Sequence, residues 1–380
     1  MKKNIGLYLH IPFCISKCRY CDFLSKANQT SYFEPYVQAL VKEIQAYGEL
    51  LISYEVDSIF IGGGTPTILP IPLLEKILFE LHRNFTIIPT AEITIEANPG
   101  TLSKIQLQRL NEININRLSI GLQAYQDSLL QKLGRGHRLE QFLENYAAAR
   151  AVGFNNISID LMFGLPEQKL EHWEETLSQI ITLNPEHLSC YSLIIEEGTP
   201  FHILWDKNQL QLPTEDETLY MYRKCISMLT QAGYEHYEIS NFAKRQKESK
   251  HNLKYWTGQE YIGLGVGAHS FFEQQRYNNI ENIKQYIEKS HHLQKIQINH
   301  QMITLKESYE ETMFLGLRLI DGVSMDVFYE RFQKKIEDVY GIVLNKMVDQ
   351  ELLKIEQNKV KLTSKGLEVG NLVFEQFLLE

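Results

Sequence analysis

The chain has no run of eighteen or more apolar residues, so nothing in it reads as a membrane-spanning helix. Its opening, MKKNIGLYLHIPF, lacks the unbroken apolar core of a secretory signal, because His10, Pro12 and Cys14 interrupt it. A cytoplasmic location is the expectation. Positive charge is scarce: 38 Lys and Arg against 47 Asp and Glu leave a net charge of −9, which argues against a broad nucleic-acid footprint. Cysteine is scarce too. Five thiols in 380 residues, three of them crowded at one end, make a poor disulfide framework, and clustered thiols in a reducing compartment suggest a metal. Low-complexity segments and internal repeats, beyond a strand–helix unit, are absent. What is present is a 44% hydrophobic chain, long enough for one large domain and a smaller one.

Six times a short β-branched run ends in a polar or glycine-rich phrase and is followed by a helical pattern. The strand-like runs are 5–11, 56–61, 92–97, 117–122, 156–163 and 187–195, with amphipathic helical stretches such as 32–51 and 168–182 between them. Such alternation predicts parallel pairing with right-handed crossovers, in an open doubly wound sheet or a curved partial barrel. The strand-end phrases HIPFC, GGGTPT, EANPG, GLQ, DLMFGLP and IIEEGTP each deliver something chemically particular, as the carboxyl ends of barrel strands do in enzymes. After residue 213 the grammar changes. A capped helix (213–234) precedes a basic, loop-like stretch (241–256) and the glycine-rich YIGLGVGAHS (261–270). The last eighty or so residues read as helices and a short hairpin with a QN turn, a winged-helix-like module expected to be structural and not a DNA reader. Three regions are therefore expected: 1–212, a connecting region 213–299, and 300–380.

Cys14, Cys18 and Cys21 stand in a C-x3-C-x2-C array directly after the first strand. A structural zinc site needs four ligands, usually as two spaced pairs, so zinc is the second choice. A cubane iron–sulfur cluster on three thiolates leaves one iron open to bind a substrate. That spacing, followed by glycine-rich and acidic strand ends, is the signature of the radical S-adenosylmethionine enzymes. There the open iron chelates the methionine part, and carbon–sulfur cleavage yields an adenosyl radical. Glycines in GGGTPT would let backbone groups approach the methionine amine. Glu96, Gln123, Arg135 and Asp160 are candidates to hold ribose, adenine and carboxylate, Arg135 as a bidentate clamp. Singly, each has a plainer reading as a helix-start acid, a buried amide or a surface ion pair. Cys190 and Cys225 read as small buried hydrophobes.

Together YLHIPFCISKCRYCDF, GGGTPT, GLQ, GRGH, DLMFGLP and HNLKYW resemble, over nearly the whole chain, the coproporphyrinogen III dehydrogenase-like branch of the radical S-adenosylmethionine superfamily and, within it, the HemW haem chaperones. The resemblance implies an α/β fold, a partial (β/α)6 barrel with a smaller, helix-rich, winged-helix-like C-terminal domain. It implies a 4Fe–4S cluster on Cys14, Cys18 and Cys21, and S-adenosylmethionine contacts at Tyr8, Tyr20, Gly64, Thr65, Glu96, Gln123, Arg135 and Asp160. The dehydrogenase carries a further cysteine two residues after the third, where this chain has Phe23, and an amino-terminal segment ahead of the first strand, where this chain has seven residues before Tyr8.

Two functions compete on this scaffold. One is oxidative decarboxylation of coproporphyrinogen III to protoporphyrinogen IX. The other, favoured by Phe23, the short amino terminus and HNLKYW, is a chaperone that binds haem and delivers it to apo-haemoproteins resembling respiratory-chain components. The scaffold is able in principle to cleave S-adenosylmethionine, and dehydrogenase activity is not expected. Radical modification of RNA is weaker, since Cys190 and Cys225 cannot form a second cluster trio. On the HNLKYW resemblance His251 is the expected haem-iron ligand, on a loop able to approach the macrocycle. Tyr255 and Trp256 are expected to cover the porphyrin edge, and Lys247, Lys250 and Lys254 to meet propionates. Residue type alone favours a solvent-exposed or locally capping histidine there. His269, in GLGVGAHS, is the rival ligand, and without a βαβ context that loop is no dinucleotide fingerprint.

Overall fold

Strand and helix alternate through the first half of the computed structural model, which describes residues 2–379, with one additional short α-helix, Asp127–Leu133, after the fourth leading strand. The six leading strands are β1 (Lys3–Ile11), β2 (Tyr54–Gly63), β3 (Ile87–Ala97), β4 (Arg117–Gln123), β5 (Ile157–Phe163) and β6 (His187–Ser192). Each is parallel to the next. Crossover helices α1 (Phe33–Leu50), α2 (Ile71–Asn84), α3 (Lys104–Glu112), α4 (Leu139–Ala151), α5 (Leu170–Leu183) and α6 (Glu215–Gln231) follow them in turn.

The alternation of side chains along these strands is sharper than both-face burial requires. Ile5, Leu7, Leu9 and Ile11 of β1, Ile93 and Ile95 of β3, and Leu118, Ile120 and Leu122 of β4 join Val37, Leu40, Ile44, Ile77 and Leu81 of the helices in one apolar core. The intervening positions point the other way. They are Tyr8 and His10, Ser58 and Phe60, Glu92 and Glu96, Arg117 and Ser119, Asp160, and Ser189 and Tyr191. One sheet face is thus oily and packed, the other polar and lining cavities.

The stretch 213–299, expected as a connection, builds six further strands onto both edges of the same sheet: β7 (Glu235–Glu238), β8 (Asn241–Ala243), β9 (Tyr261–Leu264), β10 (His269–Phe272), β11 (Gln275–Asn279) and β12 (Gln297–Met302). The order is β12-β11-β10-β9-β1-β2-β3-β4-β5-β6-β8-β7, with β9 parallel to β1. The edge strands β12 and β7 do not pair with each other, so the barrel stays open. A second core, from Tyr309 to Phe377, belongs to the C-terminal module. Helices α8 (Leu305–Gly316), α9 (Met325–Phe332) and α10 (Ile336–Asp349) pack there with a three-stranded sheet of Val323–Ser324, Leu353–Glu356 and Lys359–Leu362. Gln357 and Asn358 both take positive φ, 50° and 59°, the turn the QN dipeptide predicts.

The basic stretch expected as a loop is in part a helix, α7 (Lys250–Trp256), whose N-cap Ser249 accepts a hydrogen bond from Asn252 N–H at 3.4 Å. It packs across the start of β1 and β2. There Ile5 pairs with Val56 and Gly6 with Ser58, leaving Asp57 as a bulge. The bulge turns the Asp57 carboxylate to buried Lys254 at 2.8 Å, and Gln259 Oε1 accepts from the same ammonium at 3.1 Å. A side chain at Gly6 would come within 2.8 Å of Lys254, so the close approach of α7 needs a glycine there. Asp57→Ala, which strands the ammonium without its partner, is expected to cost about 3 kcal/mol, and adding Lys254→Met to recover most of it. Urea denaturation of the parent and the two variants checks this, and an unchanged midpoint in Asp57→Ala would contradict it.

Candidate functional site

The three clustered cysteines occupy the loop after β1, and its geometry is fixed by bonds at both ends. Phe13–Cys14 runs parallel to Lys26–Ala27 in a two-residue ladder. Midway, Arg19 N–H donates to Leu133 O at 2.9 Å and Arg19 O accepts from Phe201 N–H at 3.0 Å. Cys14, Cys18 and Cys21 are free and partly exposed, whereas Cys190 and Cys225 are buried, as small hydrophobes would be. All three loop thiols line one cavity of about 130 Å³. Burial, with the neighbouring thiols adding to it, pushes Cys21 up to about 11. Among the described residues no three His, Cys, Asp or Glu side chains converge as ligands of a single metal ion. A cubane asks for a different arrangement, one thiolate for each of three separate irons, and three free thiols around one cavity suit it.

The strand ends supply the rest of that cavity. Gly64, Glu96, Gln123, Arg135, Asp160 and Tyr20 all line it. Thr65 donates to Cys14 Sγ at 3.7 Å, and Asn98 Nδ2 donates to Thr65 Oγ1 at 2.7 Å. Tyr8 lies instead on two neighbouring cavities. The GGG glycines lie where the backbone is partly engaged already: Gly64 and Thr65 N–H donate to Ile11 and Phe13 carbonyls at 2.8 and 2.7 Å, so an amine approaching there would meet carbonyl oxygens and not these N–H groups. Their missing side chains make room for the protein itself, since a Cβ on Gly64 would sit 2.5 Å from Phe13 O and one on Gly62 2.9 Å from Glu96 Oε2. One expectation needs correcting: Arg135 offers no open fork. Its guanidinium donates at 2.5 Å to Asn98 Oδ1 and to Gly121 O, and reaches Cys18 Sγ at 3.5 Å and Tyr20 Oη at 3.4 Å. It clamps the cysteine loop to the strand ends, a role of Asn98 and Arg135 together that the phrase EANPG hinted at without revealing.

Glu96 borders all three cavities. Gly63 N–H donates to its Oε2 at 3.0 Å, while Asp160, held by Ser119 Oγ at 3.1 Å, shares the interior with it. Burial, then repulsion from Asp160, pushes the Glu96 carboxyl up to about 7.

A third cavity, about 170 Å³, lies deeper, between Arg117, Asp160, Tyr191 and His251. Here the HNLKYW residues depart from expectation. His251 is 1% exposed and both ring nitrogens are engaged, Nδ1 with Ser58 Oγ at 3.0 Å and Nε2 with Tyr255 Oη at 2.9 Å. Burial, with Lys254 and Arg117 nearby, depresses it to about 3. The three lysines are engaged as well: Lys254 with Asp57, Lys247 with Asn155 O at 3.4 Å, and Lys250 with Thr90 O at 3.0 Å. The Ser249 cap before KHNLKYW was the signal that this stretch is a helix and not a loop.

Outside lies a larger cavity, about 640 Å³, walled by Tyr8, His10, Phe23, Tyr255, Tyr261 and His269. Phe23, where a further thiol stands in the dehydrogenase pattern, is 64% exposed and borders both this cavity and that of the cysteines.

A six-fold strand–helix barrel with three free thiols at the end of its first strand defines a radical S-adenosylmethionine protein. Residues 8–180 match the radical SAM superfamily and residues 303–369 the HemN C-terminal domain. The fold is that of coproporphyrinogen III oxidase HemN from Escherichia coli, with a TM-score of 0.86 over 99% of this chain and 90% of that one, at 23% identity. Heme chaperone HemW of Bacillus subtilis is 39% identical over 376 residues, 98% of this chain and 99% of that protein. HemW of Lactococcus lactis is 36% identical, covering 100% and 99%. A mitochondrial radical S-adenosyl methionine domain-containing protein of Danio rerio is 29% identical, covering 99% and 87%. The chain belongs to the HemW family of haem chaperones.

The Glu96 value carries a pH dependence. Its folded value lies above the ordinary 4.5, so its contribution to stability is full below pH 4.5 and is lost as pH rises through about 7. Glu96→Gln is expected to flatten that part of the stability curve, leaving the parallel contribution of Glu43, also pushed up to about 7 by burial. Thermal denaturation from pH 4 to 8 reads the difference.

Proposed function

We propose that Cys14, Cys18 and Cys21 hold a 4Fe–4S cluster, that S-adenosylmethionine lies against the strand ends bearing Gly64, Thr65, Glu96, Gln123 and Asp160 within reach of Tyr8 and Tyr20, and that the protein is a haem carrier. The cluster supplies an open iron for the methionine part when bound. The chain's own residues orient and enclose: Arg135 fixes the cysteine loop, and the Glu96 and Asp160 carboxylates are placed to accept hydrogen bonds from hydroxyls. Haem is taken as cargo and handed to apo-haemoproteins, membrane-bound respiratory components among them, by a protein working from the cytoplasm.

One observation carries the choice of carrier over dehydrogenase. Phe23 stands where the dehydrogenase pattern places a further thiol, and it is 64% exposed on the wall of a cavity of about 640 Å³, within the ~300–1,000 Å³ range of ligand pockets.

Anaerobic reconstitution is expected to load about four irons per chain, and Cys14→Ser, Cys18→Ser or Cys21→Ser to abolish the broad charge-transfer absorbance. The same preparation is expected to give a haem difference spectrum and no decarboxylation of coproporphyrinogen III. Measurable decarboxylation by the unmodified protein would reverse the reading.

A further inference from the structure

Two imidazoles, His10 and His269, line the outer cavity and a third, His251, lies behind its wall, and they differ in what their ring nitrogens do. Those of His251 are both hydrogen-bonded, and Tyr255 stands between that ring and the cavity. His10 is likewise saturated, Nδ1 with Tyr8 Oη at 3.0 Å and Nε2 with Leu24 O at 2.7 Å. His269 is exposed on the cavity wall, and no hydrogen bond holds its ring among the described residues.

The backbone under His269 is nevertheless held on every side. Glu43, buried in α1, accepts from Gly265 N–H at 2.8 Å and Asn279 Nδ2 at 2.6 Å, and the Tyr286 hydroxyl also donates to it. Tyr36 Oη accepts from Val266 N–H at 3.1 Å and donates to His10 O at 2.6 Å, tying the loop to β1. His269 then opens β10, paired with Asn278. A fixed backbone carrying a free imidazole into a cavity of ligand size is what axial ligation of a metalloporphyrin requires.

The rest of the lining sets the orientation. Phe23, Tyr8, Tyr255 and Tyr261 present aromatic surface suited to a macrocycle. The charged groups on the wall are Asp22, Glu96 and Glu281, with no lysine or arginine among the lining residues, so propionates are disfavoured on the floor and belong at the mouth.

We propose that His269, and not His251, is the protein ligand to haem iron, with the porphyrin in the outer cavity, its edge against Phe23 and its propionates toward solvent. This rests on the haem-carrier reading and deepens it. His251 is then a positioning residue that holds Tyr255, through their 2.9 Å bond, at the cavity wall.

Anaerobic titration of the full-length protein with haem tests this, read by Soret position and affinity. His269→Ala is expected to lose the ligated Soret band and weaken binding at least about tenfold, and free imidazole to restore the band. Its iron–sulfur absorbance and far-ultraviolet circular dichroism should match the parent. His251→Ala should keep the parent Soret position, with at most a weaker affinity. A parent-like Soret in His269→Ala, or a lost band that imidazole does not restore, overturns the assignment. So does a band lost in His251→Ala and restored by imidazole there. A parent protein that takes up no haem at all refutes the carrier reading itself, a result distinct from a reassigned ligand.

Discussion

The structure depends on a division of labour between the two faces of one parallel sheet. Parallel strands flanked by helices are ordinarily buried on both sides and read as near-continuous apolar runs. Here the helix-facing positions are Ile, Leu and Val, while the opposite positions include Ser58, Glu92, Glu96, Arg117, Ser119, Asp160 and Ser189, all removed from bulk water except where cavities reach them. Buried polar groups are tolerated when they bond to one another. Ser119 with Asp160, Gly63 with Glu96 and Ser58 with His251 meet that condition, while Arg117 Nε has no hydrogen-bond partner among the described residues and faces Glu92 at 4.0 Å. The oily face carries the stability that lets the other face carry chemistry.

That constraint explains what could be read from the sequence. Strands expected at 5–11, 117–122 and 156–163 coincide with the observed Lys3–Ile11, Arg117–Gln123 and Ile157–Phe163 at three ends and differ by one or two residues at the other three, because β-branched alternation and the terminal glycine-rich phrases mark them directly. The cysteine triplet stood out because of its spacing after β1, and the fold sets the three thiols around one cavity. Expectations about 241–256 fared worse. Lysines and asparagines there suggested a solvated loop, yet β8 extends the sheet and α7 packs on the bulge at Asp57, with Lys254 paired and His251 enclosed. No local pattern announces that a lysine will find a carboxylate 197 residues away. Likewise Asn98 is unremarkable in EANPG until Thr65 and Arg135 are seen on either side of it.

The roles of glycine divide in the same way. A run such as GGGTPT reads as room for backbone groups to approach a ligand, and the N–H groups of Gly64 and Thr65 also bond the segment that launches the cysteine loop. The glycines permit two strands' ends and a carboxylate to crowd together, and it is the carboxylate, Glu96, that faces the cavities. The fold brings that single group to the border of the cysteine cavity, the interior and the outer cavity.

Helix α7 also has a mechanical consequence. One of its ends meets the barrel floor through His251 and Lys254. At the other, the Trp256 ring lies 4.4 Å beneath the Arg318 guanidinium, and Arg318 in turn gives its carbonyl to Ile239 N–H at 3.1 Å. Tyr255, one residue from that stacked pair, forms part of the outer cavity wall. The helix is a two-turn link between the C-terminal module and the cavity. A tilt of the module against the sheet would act on Tyr255 through this helix, whereas the cysteine loop meets the same cavity separately, at Asp22, Phe23 and Leu24.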